Sequence, residues 1–199
     1  SDEIIRIAGV SGPVEQAVEE AKIARDLGYH LVLVSQGGLG HLSEDELIER
    51  AKAIAEIIPI FGFYLQPAVG GRLLSYDFWR RLSDIPNLYA VKLAPFDRYE
   101  TISAVRAIMD SPRYNEIAIY TGNDDNIVGD LLTTFRRQVG DELRTKQIVG
   151  GLLGQWAVGT RSAVAMMERI KQVRDDEAVP ADLLATAWQL TDTNAALFD

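Results

Sequence analysis

Lys92 is an ionisable residue set in an apolar strand, Leu88-Tyr89-Ala90-Val91-Lys92-Leu93-Ala94-Pro95. A lysine desolvated in such a setting loses part of its preference for the charged form. The neutral amine can then attack a carbonyl and form an imine, whose protonated form withdraws electrons and eases carbon–carbon cleavage or proton loss at the neighbouring carbon. A second reading is open: the stem packs along the sheet while the ammonium reaches out to water. Tyr64 ends the strand before it, Ile60-Phe61-Gly62-Phe63-Tyr64. A phenol there can relay protons between imine nitrogen, substrate oxygen and solvent, or be a buried aromatic whose hydroxyl finds a backbone acceptor.

Other candidates follow the apolar runs. Pro67-Ala68-Val69-Gly70-Gly71-Arg72 comes directly after Tyr64. The amides of Gly70 and Gly71 can approach a small anion such as a carboxylate, and Arg72 can bind one with two parallel hydrogen bonds; a tight turn and a solvated arginine are the plainer readings. Thr121-Gly122-Asn123-Asp124-Asp125 reads as an acceptor-rich helix cap, with Thr121 a candidate for substrate contact. Asp124 and Asp125 offer metal ligands, but no His or Glu lies nearby, and His30 and His41 stand apart without ligand spacing, so no metal site is expected. Gly150-Gly151, Gly154 and Gln155 follow another strand, where the glycines suit either a phosphate cradle or close packing. Ser11, Ser35 and Gln36 complete the set at strand ends.

These residues are positioned by repeated strand-helix units. Candidate strands are Ile4–Gly9, Leu31–Ser35, Ile58–Tyr64, Leu88–Leu93, Glu116–Thr121 and Gln147–Leu153, starting about every 27–31 residues. Continuous apolar strands such as Leu31-Val32-Leu33-Val34 suit a parallel sheet covered on both faces. Pro13 opens a helix with Ala17, Ala21, Ala24 and Leu27 at helical spacing before Gly28. Ser43 with Glu46 forms a capping box ahead of Leu47, Ala51, Ile54 and Ile58. Ser75 opens a short helix that closes at Ile85-Pro86. Further helices are expected over Arg98–Met109, Asn126–Arg137, Arg161–Gln172 and Ala181–Leu197, with an acidic linker at Arg174–Glu177. The units therefore fill 1–173, and 174–199 begins a helical extension.

Such units form either a doubly wound sheet or most of a barrel, and in both the ligands meet the carboxyl ends of the strands. The first turn, Gly9-Val10-Ser11-Gly12-Pro13-Val14, lacks the Gly-x-Gly-x-x-Gly of a dinucleotide site. A complete barrel takes eight units and about 250 residues, and this chain has 199 residues.

Composition narrows the classes further. The formal net charge of -9 opposes binding to phosphate backbones, and the Arg80-Arg81 and Arg136-Arg137 pairs read as solvated helix faces. There is no cysteine, which excludes disulfides, thiolate metal sites and cysteine nucleophiles. No apolar run reaches the roughly 18 residues of a membrane span. A cytoplasmic location fits.

At Tyr64-Leu65-Gln66-Pro67, at Ile85-Pro86-Asn87-Leu88-Tyr89-Ala90-Val91-Lys92 and at Thr121-Gly122-Asn123-Asp124-Asp125, in that order, the chain resembles the dihydrodipicolinate synthase / N-acetylneuraminate lyase family of class I aldolases. The resemblance runs from Arg6-Ile7-Ala8-Gly9-Val10 to the final helix. It implies a (β/α)8 barrel with carboxy-terminal helices, homodimers or tetramers, no cofactor, and a 2-oxo acid such as pyruvate held as an imine on Lys92 with Tyr64 moving protons. The first strand here resembles the family's third, so two amino-terminal units, including a Gly-x-Thr-Gly-Glu turn that helps bind the substrate carboxylate, are expected to be missing. The carboxy-terminal helices also stop early. Such a chain would fold poorly by itself unless those strands are supplied in trans. Leu65 stands where the family has Asn, and Val69 where dihydrodipicolinate synthases have an Arg, which argues against dihydrodipicolinate synthesis. A lyase, aldolase or dehydratase, is the leading expectation. A non-catalytic barrel binding a small carboxylate and a metal-dependent barrel enzyme using Asp124 and Asp125 are the alternatives.

Overall fold

The computed structural model describes residues 4–176 and 178–195. The chain divides into two compact units, Ser1–Ala118 and Ile119–Asp199.

The first unit alternates β1 (Ile7–Val10), α1 (Val14–Asp26), β2 (Leu31–Val34), α2 (Glu44–Ala55), β3 (Ile60–Leu65), α3 (Tyr76–Leu82), β4 (Leu88–Ala94) and α4 (Arg98–Met109). The strands are parallel and lie side by side in sequence order, with Val34 opposite Val10 and Gly62, and Phe63 opposite Lys92. An order that never reverses, joined by right-handed crossovers, puts every helix on the same side of the sheet. That is the winding of a barrel, since a doubly wound sheet reverses its order part-way.

Local signals explain the helices. Pro13 precedes α1, whose Ala17, Ala21 and Ala24 form its buried stripe. Ser43 and Glu46 make the reciprocal capping box of α2. Ser75 accepts from the Phe78 amide at the start of α3, and the Glu44 carboxylate accepts from both the amide and the hydroxyl of Ser75, tying the two helix starts together. Asp97 caps α4 through the Tyr99 and Glu100 amides. His30 accepts from the Arg6 amide, a structural use of that ring.

Side chains alternate between the two faces of a strand. Val32, Val34, Ile60, Gly62, Tyr64, Val91 and Leu93 point to the helices and are buried. On the other face Ile7 and Gly9 are exposed and Leu31, Leu33, Phe63, Leu65 and Lys92 are half-buried, with Phe61 and Ala90 more enclosed between them. Within this unit the expected two-sided cover is thus one-sided.

The second unit begins within β5 (Ala118–Thr121) and holds α5 (Ile127–Leu132), β6 (Thr134–Val139), β7 (Glu142–Gly151), α6 (Gly154–Val158), α7 (Thr160–Val173) and α8 (Ala181–Ala195). β5 runs parallel to β7, and β6 pairs antiparallel with β7, Thr134 opposite Gln147 and Val139 opposite Glu142. This corrects the expected helix over Asn126–Arg137. Thr133, Thr134 and Phe135 favour extended backbone, and Gly140 at φ +58 with Asp141 forms the two-residue turn that folds the strand back. The capping role expected of Thr121–Asp125 is also revised: α5 starts at Ile127, behind Asn126.

Candidate active site on the open face of the first sheet

Lys92 lies towards the carboxyl end of β4, half-buried, on the face turned away from the helices. Its register partner is Phe63 on β3, and its Nζ rests 4.4 Å from the centre of that ring. The amine therefore leans from its own strand over the neighbouring one. An aromatic face attracts a cation there, and it would favour a protonated imine in the same way. Two residues beyond β4, Phe96 adopts φ +55, a left-handed conformation that a side chain disfavours. Such strain gathers where a rim must hold a particular shape.

Tyr64 is on the strand adjacent to Lys92, but alternation turns it to the helix-covered face. It is wholly buried, with its ring 5.1 Å from that of Trp79. The hydroxyl accepts from the Leu74 amide at 3.2 Å and donates to Glu100 Oε2 at 2.8 Å. Burial first, and then the Glu100 carboxylate, push this phenol's pKa far upward, with the Leu74 hydrogen bond opposing. It stays protonated, and the structure does not bring it to the Lys92 amine. Glu100, three residues past the α4 cap, was not legible as its partner, since an acidic residue in a first helical turn is ordinary.

The Gly-rich segment folds back on the end of β3. Residues Pro67–Val69 form a single 3-10 turn, ended by Gly70 at φ +89. The Gly70 amide donates to the Pro67 carbonyl and the Gly71 amide to the Gln66 carbonyl, so both amides proposed for anion binding serve the turn itself. A Cβ on Gly71 would stand 1.9 Å from the Leu65 carbonyl oxygen, so only glycine fits this approach. Arg72 donates to the Leu42 carbonyl, bracing the loop before α2. The Gly38 amide reaches the Gly70 carbonyl, which locks the rims of β2 and β3 together.

The remaining candidates lie in the second unit. Thr121 is buried and donates to Asp130 Oδ2 at 2.5 Å, and Asn123 Nδ2 reaches the same oxygen at 3.0 Å. Asn126 Nδ2 donates to the other carboxylate oxygen. This closed network accounts for the Thr121 hydroxyl without a ligand. The backbone carbonyls of Asp124 and Asp125 accept from Asn194 and Thr191 of α8. Among the described residues, no three His, Asp or Glu side chains gather as a metal ion would require. Gly150 and Gly151 allow close packing, since a Cβ would press on the Tyr120 ring and the Trp156 indole respectively. Gly154 opens α6 with free space where a Cβ would be. Gln155 lies in α6, and its side chain falls outside the described residues.

A groove of about 480 Å³ opens elsewhere in the first unit, between α2 and α3 at the amino ends of the strands, lined by Ile48, Lys52, Arg81, Asp84 and Asn87. Ligands of such folds meet the opposite, carboxyl ends, so the strand-end position of Lys92 outweighs the size of this groove.

Residues 1–140 match the model of the Dihydrodipicolinate synthetase family. The chain belongs to the Dihydrodipicolinate synthetase family. Among curated proteins, a probable 5-dehydro-4-deoxyglucarate dehydratase of Acinetobacter baumannii is 33% identical over 87 residues, covering 43% of this chain and 28% of the relative. Among solved structures, a pyruvate complex of the chloride-inhibited dihydrodipicolinate synthase of Acinetobacter baumannii superposes with a TM-score of 0.69 at 22% identity, over 98% of this chain and 59% of that one. The 4-hydroxy-tetrahydrodipicolinate synthase of Methylacidiphilum fumariolicum SolV gives 0.70 at 21% identity, over 98% and 57%. N-acetylneuraminate lyase of Mycoplasma synoviae gives 0.62 at 18%, over 96% and 54%. The family's (β/α) barrel fold is thereby shared, and the chain spans little more than half the length of these structures. No helix among the described residues is long and apolar enough to cross a membrane.

Proposed function

We propose that this family member is a lyase, an aldolase or dehydratase, that captures a 2-oxo acid such as pyruvate or a pyruvate adduct as an imine on Lys92. The observation that carries the reading is the place of the amine: carboxyl end of β4, open face of the sheet, against the Phe63 ring. Attack of the neutral amine on the ketone carbon and loss of water give the imine, and its protonated form accepts the electron pair released by C–C cleavage or proton removal. Tyr64 serves this chemistry in a positioning role, by fixing the Leu74 loop and the first turn of α4 to the back of β3. Arg72, Gly70 and Gly71 shape the rim of β3. A cytoplasmic dimer or tetramer is part of the same proposal.

Borohydride reduction with a panel of 2-oxo acids, read by intact mass and peptide mapping, tests it. A covalent adduct confined to Lys92 is expected, and a panel that leaves no adduct refutes it. A second reading, a carboxylate-binding barrel without turnover, is favoured by the turn of Tyr64 away from the Lys92 face, which leaves the amine without that phenol as a proton relay. Ligand-induced thermal stabilisation that survives Lys92→Ala, with no product formed, would select it.

A further inference from the structure

Ser35 follows β2 directly, and its amide continues the ladder by donating to the Val10 carbonyl at 3.0 Å. Carrying the alternation of Leu31 and Leu33 one step on puts its side chain on the face that holds Phe63 and Lys92. A second observation agrees. The position a Cβ would take on Gly37 is 3.4 Å from Ser35 Oγ and 3.6 Å from Leu65 Cδ2, and Leu65 shares the Phe63 face. On that face the order is Ser35, Phe63, Lys92, and the amine already leans over Phe63 towards Ser35. Neighbouring strands are about 4.8 Å apart, so a small acid joined to Nζ lies within reach of the Ser35 hydroxyl.

The hydrogen bonding of that hydroxyl is the informative part. Ser35 Oγ accepts from the Gly37 amide at 3.2 Å and donates to no described residue. A hydroxyl that accepts from a backbone N–H still has its own proton to donate, and that proton rotates to meet an acceptor. Ser35 can therefore donate to an acceptor on that face, and in a 2-oxo acid the carboxylate is bonded directly to the carbon that the amine attacks.

We propose that Ser35 is a specificity-determining residue that donates a hydrogen bond to the carboxylate of the acid captured on Lys92, so that the site selects 2-oxo acids over ketones of the same size. The proposal rests on the Lys92 reading for its geometry. It gives a role to a residue on a different strand from the Gly-rich turn whose amides are already engaged.

The test compares pyruvate with hydroxyacetone, which replaces the carboxylate by a hydroxymethyl group. Rates of cyanoborohydride trapping at Lys92 are measured for the wild-type chain, Ser35→Ala, Ser35→Cys and Ser35→Thr, each checked for fold by circular dichroism. A hydrogen bond to a charged acceptor is worth about tenfold or more. The wild type should trap pyruvate at least tenfold faster than hydroxyacetone. Ser35→Ala and Ser35→Cys should lose most of that preference by slowing pyruvate alone, and Ser35→Thr should restore it. An unchanged ratio, or equal slowing of both ketones, overturns the proposal. If the wild type traps neither ketone, the imine reading fails by itself, and Ser35 is then judged by lactate, which carries the carboxylate but has no ketone. Thermal stabilisation by lactate that is lost in Ser35→Ala upholds the serine's role, and stabilisation equal in both, or absent from both, overturns it.

Discussion

Replacing Tyr64 by Phe separates a phenol that handles protons from one that holds a rim in place. The ring stays, so its 5.1 Å packing against Trp79 is kept and no cavity opens. What disappears is one oxygen that accepts from the Leu74 amide at 3.2 Å and donates to Glu100 at 2.8 Å. The Leu74 amide is buried and would have no replacement acceptor, which costs about 1–3 kcal/mol. Glu100 is half-buried and regains water, so its loss adds only a few tenths of a kcal/mol. The expected destabilisation is about 2 kcal/mol, measured by urea unfolding with an unchanged slope, together with loss of hydrogen-exchange protection at Leu74. Reductive trapping of pyruvate on Lys92 should proceed at near wild-type rate below the unfolding range. A variant that keeps its stability within about 0.5 kcal/mol yet traps more than tenfold more slowly would refute the reasoning. The phenol would then work on the amine's side of the sheet.

Three further outcomes follow from the same contacts. Burial keeps the Tyr64 phenol protonated where an unfolded tyrosine ionises, near pH 10. The folded state thus holds a proton the unfolded chain gives up, so this contribution is complete below about pH 10 and is lost as pH rises beyond it; urea titrations should show the wild type falling more steeply than Tyr64→Phe in that range. Gly71→Ala should destabilise the first unit by about 3 kcal/mol or more, because the added carbon meets the Leu65 carbonyl, and a soluble variant within about 0.5 kcal/mol of wild type would contradict this. Arg50 is buried, with Nε bound to the Gly12 carbonyl and neither Nη bonded to any described residue. Burial lowers its pKa, with the Glu20 charge opposing. Arg50→Met should therefore be neutral or stabilising by about 1 kcal/mol, and a loss above about 3 kcal/mol would show that the guanidinium is satisfied in solution.

Much of the first unit was legible because its signals are local. Ser43-Glu46, Ser75 and the Ala17-Ala21-Ala24 stripe each need only a few neighbours to act, and the helices formed where they point. The adjacency of β3 and β4 was also readable from the strand-helix period. The face of Tyr64 was not. Ile60-Phe61-Gly62-Phe63-Tyr64 has no polar alternation, so the parity that turns Phe63 to Lys92 and Tyr64 to Trp79 is decided by which side the helices cover. The hairpin of β6 and β7 was missed for a related reason. Arg136 and Arg137 after Leu131-Leu132 continue a helical pattern, and pairing of Thr134 with Gln147, thirteen residues away, overrides it. Thr121 and the Gly70-Gly71 amides looked available because sequence shows donors and acceptors, not which are already engaged. Ser35 was visible at a strand end, but its use depends on a Gly37 amide two residues on and on a ring from another strand.

The one-sided helix cover has a consequence for evolution and engineering. Along β2 and β3 the odd-numbered side chains, Leu33, Ser35, Phe63 and Leu65, look away from the helices, while Val32, Val34, Ile60 and Tyr64 hold the helical layer. On the proposed reading of Lys92, ligand choice and thermodynamic robustness are encoded in interleaved letters of the same short segments. A library randomised at alternate positions should explore new acceptor molecules while leaving the melting behaviour nearly constant, and one shifted by a single residue should do the reverse.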